Sequence, residues 1–208
     1  ASVSSGVLGT AISGRTVNGQ VDIEVGRNST VTGGLLGIAG TSTGTGDVDI
    51  TTERGSTVAA TNPLGVGIAA TVVDGDAWVD THGDITDGLT GIAATALGNG
   101  DIHVSVHRQS DITTDLTGIA ANSIGSGDIS VSVSGDITTT SAIGQGILAT
   151  STFGGTGSIN INTWRSSDIN TAGDGIGCAN YTTTTTQQQQ VVGVAVQHCV
   201  RDGETHAA

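Results

Sequence analysis

The sequence predicts an all-β fold, a right-handed parallel β-helix (solenoid) of about six coils with three short strands in each coil. Three motifs recur in a fixed order with a period of about 28 residues, which is typical of repeat architectures. Each motif is a short run of alternating or β-branched residues, and Gly, Asp, Asn, Ser and Thr separate the runs. The chain is also rich in small residues, because 34 of its 208 residues are Gly and only 2% are aromatic.

The first motif is Gly-Ile-Ala or a close variant. It occurs at Gly37-Ile38-Ala39, Gly67-Ile68-Ala69, Gly91-Ile92-Ala93, Gly118-Ile119-Ala120, Gly146-Ile147-Leu148 and Gly175-Ile176. One such unit cannot bury its apolar face alone, whereas stacked units place Ile on Ile along a continuous interior. We therefore expect these segments to pair in parallel, one above the other.

The second and third motifs complete each coil. The second is Gly, usually Asp, and then alternating apolar and polar residues, as in Gly46-Asp47-Val48-Asp49-Ile50 and Gly100-Asp101-Ile102-His103-Val104. The third is a short Asp-Ile-Thr segment, as in Asp84-Ile85-Thr86 and Asp111-Ile112-Thr113, with Val31 and Val58 in the same column. Three strands in about 28 residues with unequal turns favour the right-handed coil, since the hexapeptides of left-handed coils and tandem calcium-binding nonapeptides are both absent from the sequence.

The motifs assign residues 1–178 to the β-helix and leave residues 179–208 as a low-complexity C-terminal tail or cap. Homopolymeric tracts fill 182–186 (Thr) and 187–190 (Gln), and the apolar run 191–196 suits one strand or part of a capping helix. A disordered end is the alternative. Cys178 and Cys199 could pair in an oxidising compartment, tying the tail to the last coil, or remain two free thiols.

Composition excludes several classes of partner. The formal net charge is −13, the chain has no Lys, and its six Arg are scattered singly, so we expect no binding to nucleic acid or to an anionic membrane. The longest apolar run, 191–196, is far shorter than the roughly 20 residues of a membrane-spanning helix. Because no Met is present even at position 1, we expect a processed chain or a fragment of a longer one.

The coil sequence GIAATALGNGDIHVSV, followed by SDITTDLTGIAANSIGSGDISVSVSGDITT, resembles the Gly-rich and Asp-Ile-Thr-rich coils of passenger domains of Gram-negative autotransporters. The resemblance covers residues 6 to 176 and implies a right-handed β-helix. It also implies export, translocation with the help of an outer-membrane barrel that this chain lacks, and display or release at the cell surface. The expected partners are a surface receptor, a glycan or a neighbouring passenger.

Asp residues recur at the start of two strand columns. They are Asp47, Asp76, Asp101 and Asp128 in one column, and Asp84, Asp111, Asp136 and Asp168 in the other. Stacked carboxylates could collect calcium, which favours several oxygen ligands. Asp after Gly also accepts backbone hydrogen bonds in turns. The second interpretation is preferred, so the sequence predicts no metal site and no cofactor.

A small set of bulky or imidazole side chains falls on outward or turn positions of the coils. Aromatic rings can stack on sugars and Arg can pair with carboxylates, so these residues are the candidate ligand contacts. Isolated surface residues without a role are the alternative. The candidates are Trp78, His103, His107, Trp164 and Arg165.

The sequence predicts a non-enzymatic cell-surface stalk segment for adhesion or for cell–cell or matrix contact. One alternative is an ice-binding β-helix, because Thr32, Thr86, Thr113 and Thr138 lie beside the third-motif apolar residue, although Ala59 and Asn170 interrupt the column. The other is a polysaccharide lyase or hydrolase on the same fold. That chemistry needs paired carboxylates, or a metal with a basic residue, and no such constellation is visible.

Overall fold

A computed structural model describes residues 1–86, 88–152, 157–164, 167–180, 188–191 and 199–201. These residues form no helix, and their strands lie in three parallel sheets that wind as a β-solenoid of about six coils. The predicted parallel β-helix is therefore confirmed. Nothing in the described part of the chain could cross a membrane as a helix.

Each coil contributes one strand to each sheet. The first sheet contains β1 (Ser2–Ser4), β4 (Thr30–Gly33), β7 (Thr57–Ala60), β10 (Asp84–Thr86), β13 (Ile112–Thr114), β16 (Ile137–Thr139) and β19 (Ile169–Asn170). The second contains β2 (Thr10–Thr16), β5 (Leu36–Ser42), β8 (Val66–Val72), β11 (Thr90–Ala96), β14 (Thr117–Ser123), β17 (Gln145–Ser151), β20 (Ile176–Asn180) and β22 (Cys199–Arg201). The third contains β3 (Val21–Val25), β6 (Val48–Thr52), β9 (Ala77–Thr81), β12 (Ile102–Val106), β15 (Ile129–Val133), β18 (Ile159–Thr163) and β21 (Gln188–Val191).

The register follows the sequence motifs. In the second sheet Ile92 pairs with Ile68 on one side and with Ile119 on the other. The same alignment runs through the first sheet, where Val58, Ile85 and Ile112 are neighbours. The predicted stacking of like residues, one coil above the next, is confirmed.

Among the described residues, the core is a column of aliphatic side chains with no aromatic ring in it. Ile, Val and Ala from all three sheets form one buried cluster, and twelve Ile side chains are fully buried. The interior is narrow, so there is little room between strands of different sheets. Gly avoids a steric clash where a strand lies close to a core side chain of another sheet. A Cβ at Gly91 would collide with Cγ2 of Ile112, which explains the Gly that precedes each Ile of the first motif.

The Asp columns have a structural role that runs between coils. In one column the carboxylate of Asp47 accepts the backbone N–H of Asp76, and that of Asp101 accepts the N–H of Asp128, at 2.9 and 2.7 Å. The second column repeats the arrangement, as in the 3.0 Å hydrogen bond from the N–H of Asp111 to the carboxylate of Asp84. We call the two columns the Asp ladders. Their acceptors serve the following coil, whereas the sequence suggested local turns.

Part of the tail continues the solenoid. Strand β21 pairs with β18, and β22 pairs with β20 so that the backbone of Cys199 lies opposite Cys178. Cys178 is disulfide-bonded, which decides against two free thiols, while the side chain of Cys199 lies outside the described residues. The remaining tail residues, 181–187, 192–198 and 202–208, also lie outside them.

Candidate functional site

The outward side of the third sheet differs from the rest of the surface. We number the rungs 1 to 6 by the strands β3, β6, β9, β12, β15 and β18. One outward column consists of Asp22, Asp49, Trp78, His103, Ser130 and Asn160, and the next of Glu24, Thr51, Asp80, Ser105, Ser132 and Asn162. The turn residues that follow the strands from rung 2 onward are Glu53, His82, His107, Ser134 and Trp164. We call these three columns the third-sheet face.

Every Trp and every His among the described residues lies on this face. Trp78 and His103 come from adjacent rungs, and their rings stack with centroids 3.9 Å apart at an interplanar angle of 19°. Trp78 remains 48% exposed. The parallel ladder holds two flat side chains of neighbouring strands face to face, so the ring edges point outward and form a rigid aromatic pair.

A second ring pair lies in the turn that follows. His82 and His107 stack with centroids 3.8 Å apart at 9°. Nε2 of His107 lies 2.7 Å from Oδ1 of Asp80, and Nδ1 of His82 lies 4.0 Å from the same oxygen. One carboxylate and two imidazoles from two rungs therefore converge, and each side chain is partly open to solvent.

Buried hydroxyl groups fix the backbone beneath this cluster. Thr81 lies between Asp80 and His82 in the sequence and points inward, where its hydroxyl meets that of Thr52 at 2.8 Å and donates to the carbonyl oxygen of Gly83 at 2.8 Å. The hydroxyl of Ser110 donates to the same carbonyl oxygen at 2.6 Å. Because Thr81 is anchored inside, its two neighbours are held on the outside of the coil.

Turn length creates a notch around His82. Five residues connect the aligned inward positions Thr52 and Val58 in rung 2, and five connect Val106 and Ile112 in rung 4. Only His82, Gly83 and Asp84 make this connection in rung 3. The longer turns of rungs 2 and 4 therefore project further than the turn of rung 3, which leaves the notch. His107 is the first residue of the rung 4 turn.

The structure places four of the five predicted contact residues on the third-sheet face. Trp78, His103 and His107 lie in rungs 3 and 4, and Trp164 lies in rung 6, 53% exposed, with its Nε1–H donating to Oγ of Ser132 at 3.2 Å. Arg165 lies outside the described residues. These side chains are isolated from one another in the sequence. In the structure Trp78 stacks on His103, and His107 lies in a cluster with Asp80 and His82.

The Arg residues are less scattered than the sequence suggested. Arg27, Arg54 and Arg108 occupy the second position of equivalent turns, whose third residues, Asn28, Gly55 and Gln109, all have positive φ. The guanidinium Nε of Arg27 lies 2.8 Å from Oε2 of Glu53 in the next rung. These three Arg are isolated from one another along the sequence, but their equivalent turns place them along one edge of the third-sheet face.

The lower rungs of this face are acidic. Partial burial, and then the neighbouring Asp22 carboxylate, raise the pKa of Asp49 above its ordinary value, and Asp80 raises it further. A hydrogen bond from Thr51 opposes the rise. This part of the surface therefore repels anions and attracts a cation or a hydroxyl-bearing partner.

The sequence does not single out two members of the cluster, Asp80 and His82, because neither residue is unusual on its own. The signal is a common offset of 25 residues, which separates Trp78 from His103 and also His82 from His107. The same offset separates the turn residues Asp76 and Asp101. Applying the local repeat length to every His would have paired the two imidazoles.

Comparisons with known proteins add no relative. No protein-family model matches the sequence, no curated protein matches it, and no solved structure matches the fold. Function must therefore be argued from the surface of this chain.

Proposed function

We propose that this chain is a non-enzymatic segment of an exported cell-surface protein, similar to an autotransporter passenger, and that its third-sheet face binds neutral glycans of a neighbouring cell or matrix. The observation that carries the proposal is the concentration of all described Trp and His side chains on one of three faces. Aromatic side chains dominate contact surfaces because they offer large apolar area at little conformational cost.

The architecture supports presentation of this face. Both aromatic contributors in rungs 3 and 4 are fixed by ladder hydrogen bonds and by their mutual stacking, so little entropy is lost when a partner binds. Trp78 and Trp164 lie three rungs apart, about 14 Å along the solenoid axis. An extended partner that follows the axis can therefore contact both indoles.

Charge and hydrogen-bonding groups favour a neutral glycan. The chain carries a formal net charge of −13, and the first rungs of the face bear Asp22, Glu24 and Asp49. An acidic polysaccharide is repelled by that surface. Rungs 5 and 6 instead offer the hydroxyl and amide groups of Ser130, Asn160 and Asn162, which pair with sugar hydroxyls.

Binding to immobilised neutral and acidic polysaccharides tests this proposal. We expect the native chain to retain a neutral polymer, and the double variant Trp78→Ala/Trp164→Ala to bind it at least tenfold more weakly. Leu64→Ala/Ile143→Ala is the matched control, because these side chains are 70% and 75% exposed in turns away from this face. Equal loss in both double variants would show nonspecific apolar adhesion, and preference for the acidic polymer would contradict the charge argument.

Surface location has its own experiment. The solenoid resembles passenger coils, so antibodies against the folded chain should label intact cells of the source organism. Protease added outside those cells should remove the label. Labelling that appears only after the cells are opened would contradict export and leave the glycan interaction to be judged by the binding measurement.

Ice binding is a second candidate, supported by a regular outer face on the second sheet. The first-sheet column has the predicted order, with Ala59 and Asn170 interrupting Thr32, Thr86, Thr113 and Thr138. The longer second-sheet strands carry Thr41, Thr71, Thr95 and Thr150, with Asn122 between the last two. Inhibition of ice recrystallisation at micromolar protein that Thr95→Tyr abolishes would replace the glycan proposal.

The enzymatic alternative has less support, because the most regular carboxylates are already used. In the Asp ladders seven of the eight carboxylates accept a backbone N–H of the following coil, as Asp101 does for Asp128 at 2.7 Å. These groups stabilise the fold rather than face a substrate. Release of unsaturated products from a polyuronate by the purified chain would overturn the non-enzymatic proposal.

A further inference from the structure

The cluster in the notch has the composition of a metal centre. Asp80, His82 and His107 each offer a ligand atom, and the three atoms lie within 4.8 Å of one another. They come from one strand end, the turn after it and the equivalent turn of the next rung. The site thus bridges rungs 3 and 4, and it is separate from the Trp78–His103 pair.

One oxygen of the cluster is buried against an imidazole nitrogen. Oδ1 of Asp80 is shielded from solvent and lies 2.7 Å from Nε2 of His107. A carboxylate oxygen and a ring nitrogen tolerate that distance only when a proton or a cation lies between them, since both are otherwise acceptors. An N–H on Nε2 makes this contact in the absence of a metal, and a divalent cation that displaces that proton would be held by the same two atoms.

The ligand types select the class of ion. Two imidazole nitrogens and one carboxylate oxygen suit Zn²⁺ and similar divalent transition metals, whereas Ca²⁺ takes six to eight oxygens. Bonds of about 2.1 Å in a tetrahedron place the ligand atoms about 3.4 Å apart. The distance from Asp80 Oδ1 to His107 Nε2 must open by about 0.7 Å, and that to His82 Nδ1 must close by about 0.6 Å. Side-chain rotation supplies such shifts.

The surrounding structure holds the ligands in place while leaving room for a fourth one. Thr81 is anchored by buried hydroxyl contacts, and the N–H of His107 donates to the carbonyl oxygen of Thr81 at 2.9 Å. The short rung 3 turn leaves the imidazoles of His82 and His107 partly exposed, at 29% and 44%. A fourth ligand from solvent or from a partner therefore has access.

We propose that Asp80, His82 and His107 bind one divalent transition-metal ion, with Zn²⁺ as the reference case, and that the ion cross-links rungs 3 and 4. The ion replaces the proton between Asp80 and His107. Its binding does not depend on the glycan interaction, because neither Trp78 nor Trp164 supplies a ligand.

Zinc binding to the whole, chelator-treated chain tests the proposal. We expect calorimetry to show one Zn²⁺ per chain with micromolar or tighter affinity, and a melting temperature that rises with zinc. His82→Ala and His107→Ala should each weaken binding at least tenfold and remove the thermal shift. His103→Ala is the matched control, because this His lies in rung 4 on the same face but outside the cluster.

The variants also separate this site from other ligands of the chain. Positions 198 and 205 carry His, so zinc bound equally by the native chain and by His82→Ala/His107→Ala would overturn the proposal. Failure of the native chain to bind zinc below about 100 μM would also overturn it. Should an Ala variant fail to give the native circular dichroism spectrum, Asp80→Asn keeps the shape of the site, and undiminished binding by that variant would count equally against it.

Discussion

The second and third sheets are alike on the inside and different on the outside. Both bury an unbroken column of aliphatic residues, such as Ile92 and Ile119 in the second sheet. Outside, the second sheet repeats Ala and Thr, as in Ala93 and Thr95, and the third sheet changes from Asp to Trp, His, Ser and Asn. Packing of the core constrains the inner positions and leaves the outer ones free to vary. We therefore assign the varied outer residues of the third sheet to contact with partners.

The largest expected effect comes from breaking the inner column. Ile119→Ala leaves a cavity between two sheets and should lower the free energy of unfolding by about 3 kcal/mol. Thr95→Ala on the outer side of the neighbouring strand should change it by less than about 0.5 kcal/mol. Urea denaturation followed by circular dichroism measures both. Similar losses in the two variants would contradict the division between inner and outer positions.

An intermediate effect is expected in the Asp ladders. Asp101→Ala removes the acceptor for the N–H of Asp128 and should lower the free energy of unfolding by about 1 kcal/mol. Asp101→Asn keeps an oxygen in place and should cost clearly less. The same denaturation experiment compares them. If Asp101→Asn is as damaging as Asp101→Ala, the charge rather than the hydrogen bond matters at this position.

The smallest effect concerns the acidic rungs of the third sheet. Because the pKa of Asp49 is raised in the folded chain, the folded state binds more protons than the unfolded state between the two pKa values, and stability falls as pH rises through that window. Asp49→Asn should therefore be more stable than the native chain at pH 7, by less than about 1 kcal/mol. The gain should disappear near pH 3, where both states are protonated.

Denaturation midpoints at the two pH values check this expectation. Asp174→Asn, an exposed carboxylate in a turn outside the third-sheet face, serves as the control and should show little change. A gain for Asp49→Asn that persists at pH 3 would mean that packing, rather than charge, disfavours this side chain.

The fold could be predicted from the sequence because each motif contains an apolar residue that marks a buried position in its coil. Ile38, Ile68 and Ile92 fall in register as predicted, since a one-residue slip would turn every Ile outward. The same reasoning located Trp78 and His103 on the outside. It could not bring them together, because pairing across coils depends on the local repeat length, which is 25 residues here and differs elsewhere.

The cluster around Asp80 was less predictable for the same reason. Its third member, His82, lies beside His107 because the rung 3 turn is short. A change of turn length does not alter the hydrophobic pattern of the strands, so the sequence pattern does not predict it. The sequence predicted that the Asp side chains accept backbone hydrogen bonds. It did not predict that the donor N–H groups belong to the following coil. Local turn preferences in the sequence say nothing about which coil supplies the donor.

The direction of these hydrogen bonds gives the solenoid a polarity. Asp47 offers its carboxylate to Asp76, and Asp101 offers its carboxylate to Asp128, so in these side-chain bonds the acceptor lies in the earlier coil and the donor in the later one. The backbone bonds beside them run the other way, since the N–H of Ile102 donates to the carbonyl oxygen of Asp128. The two ends of the solenoid therefore differ chemically, because the side-chain acceptors of the Asp ladders point towards the carboxyl end and the amide donors that they need point towards the amino end.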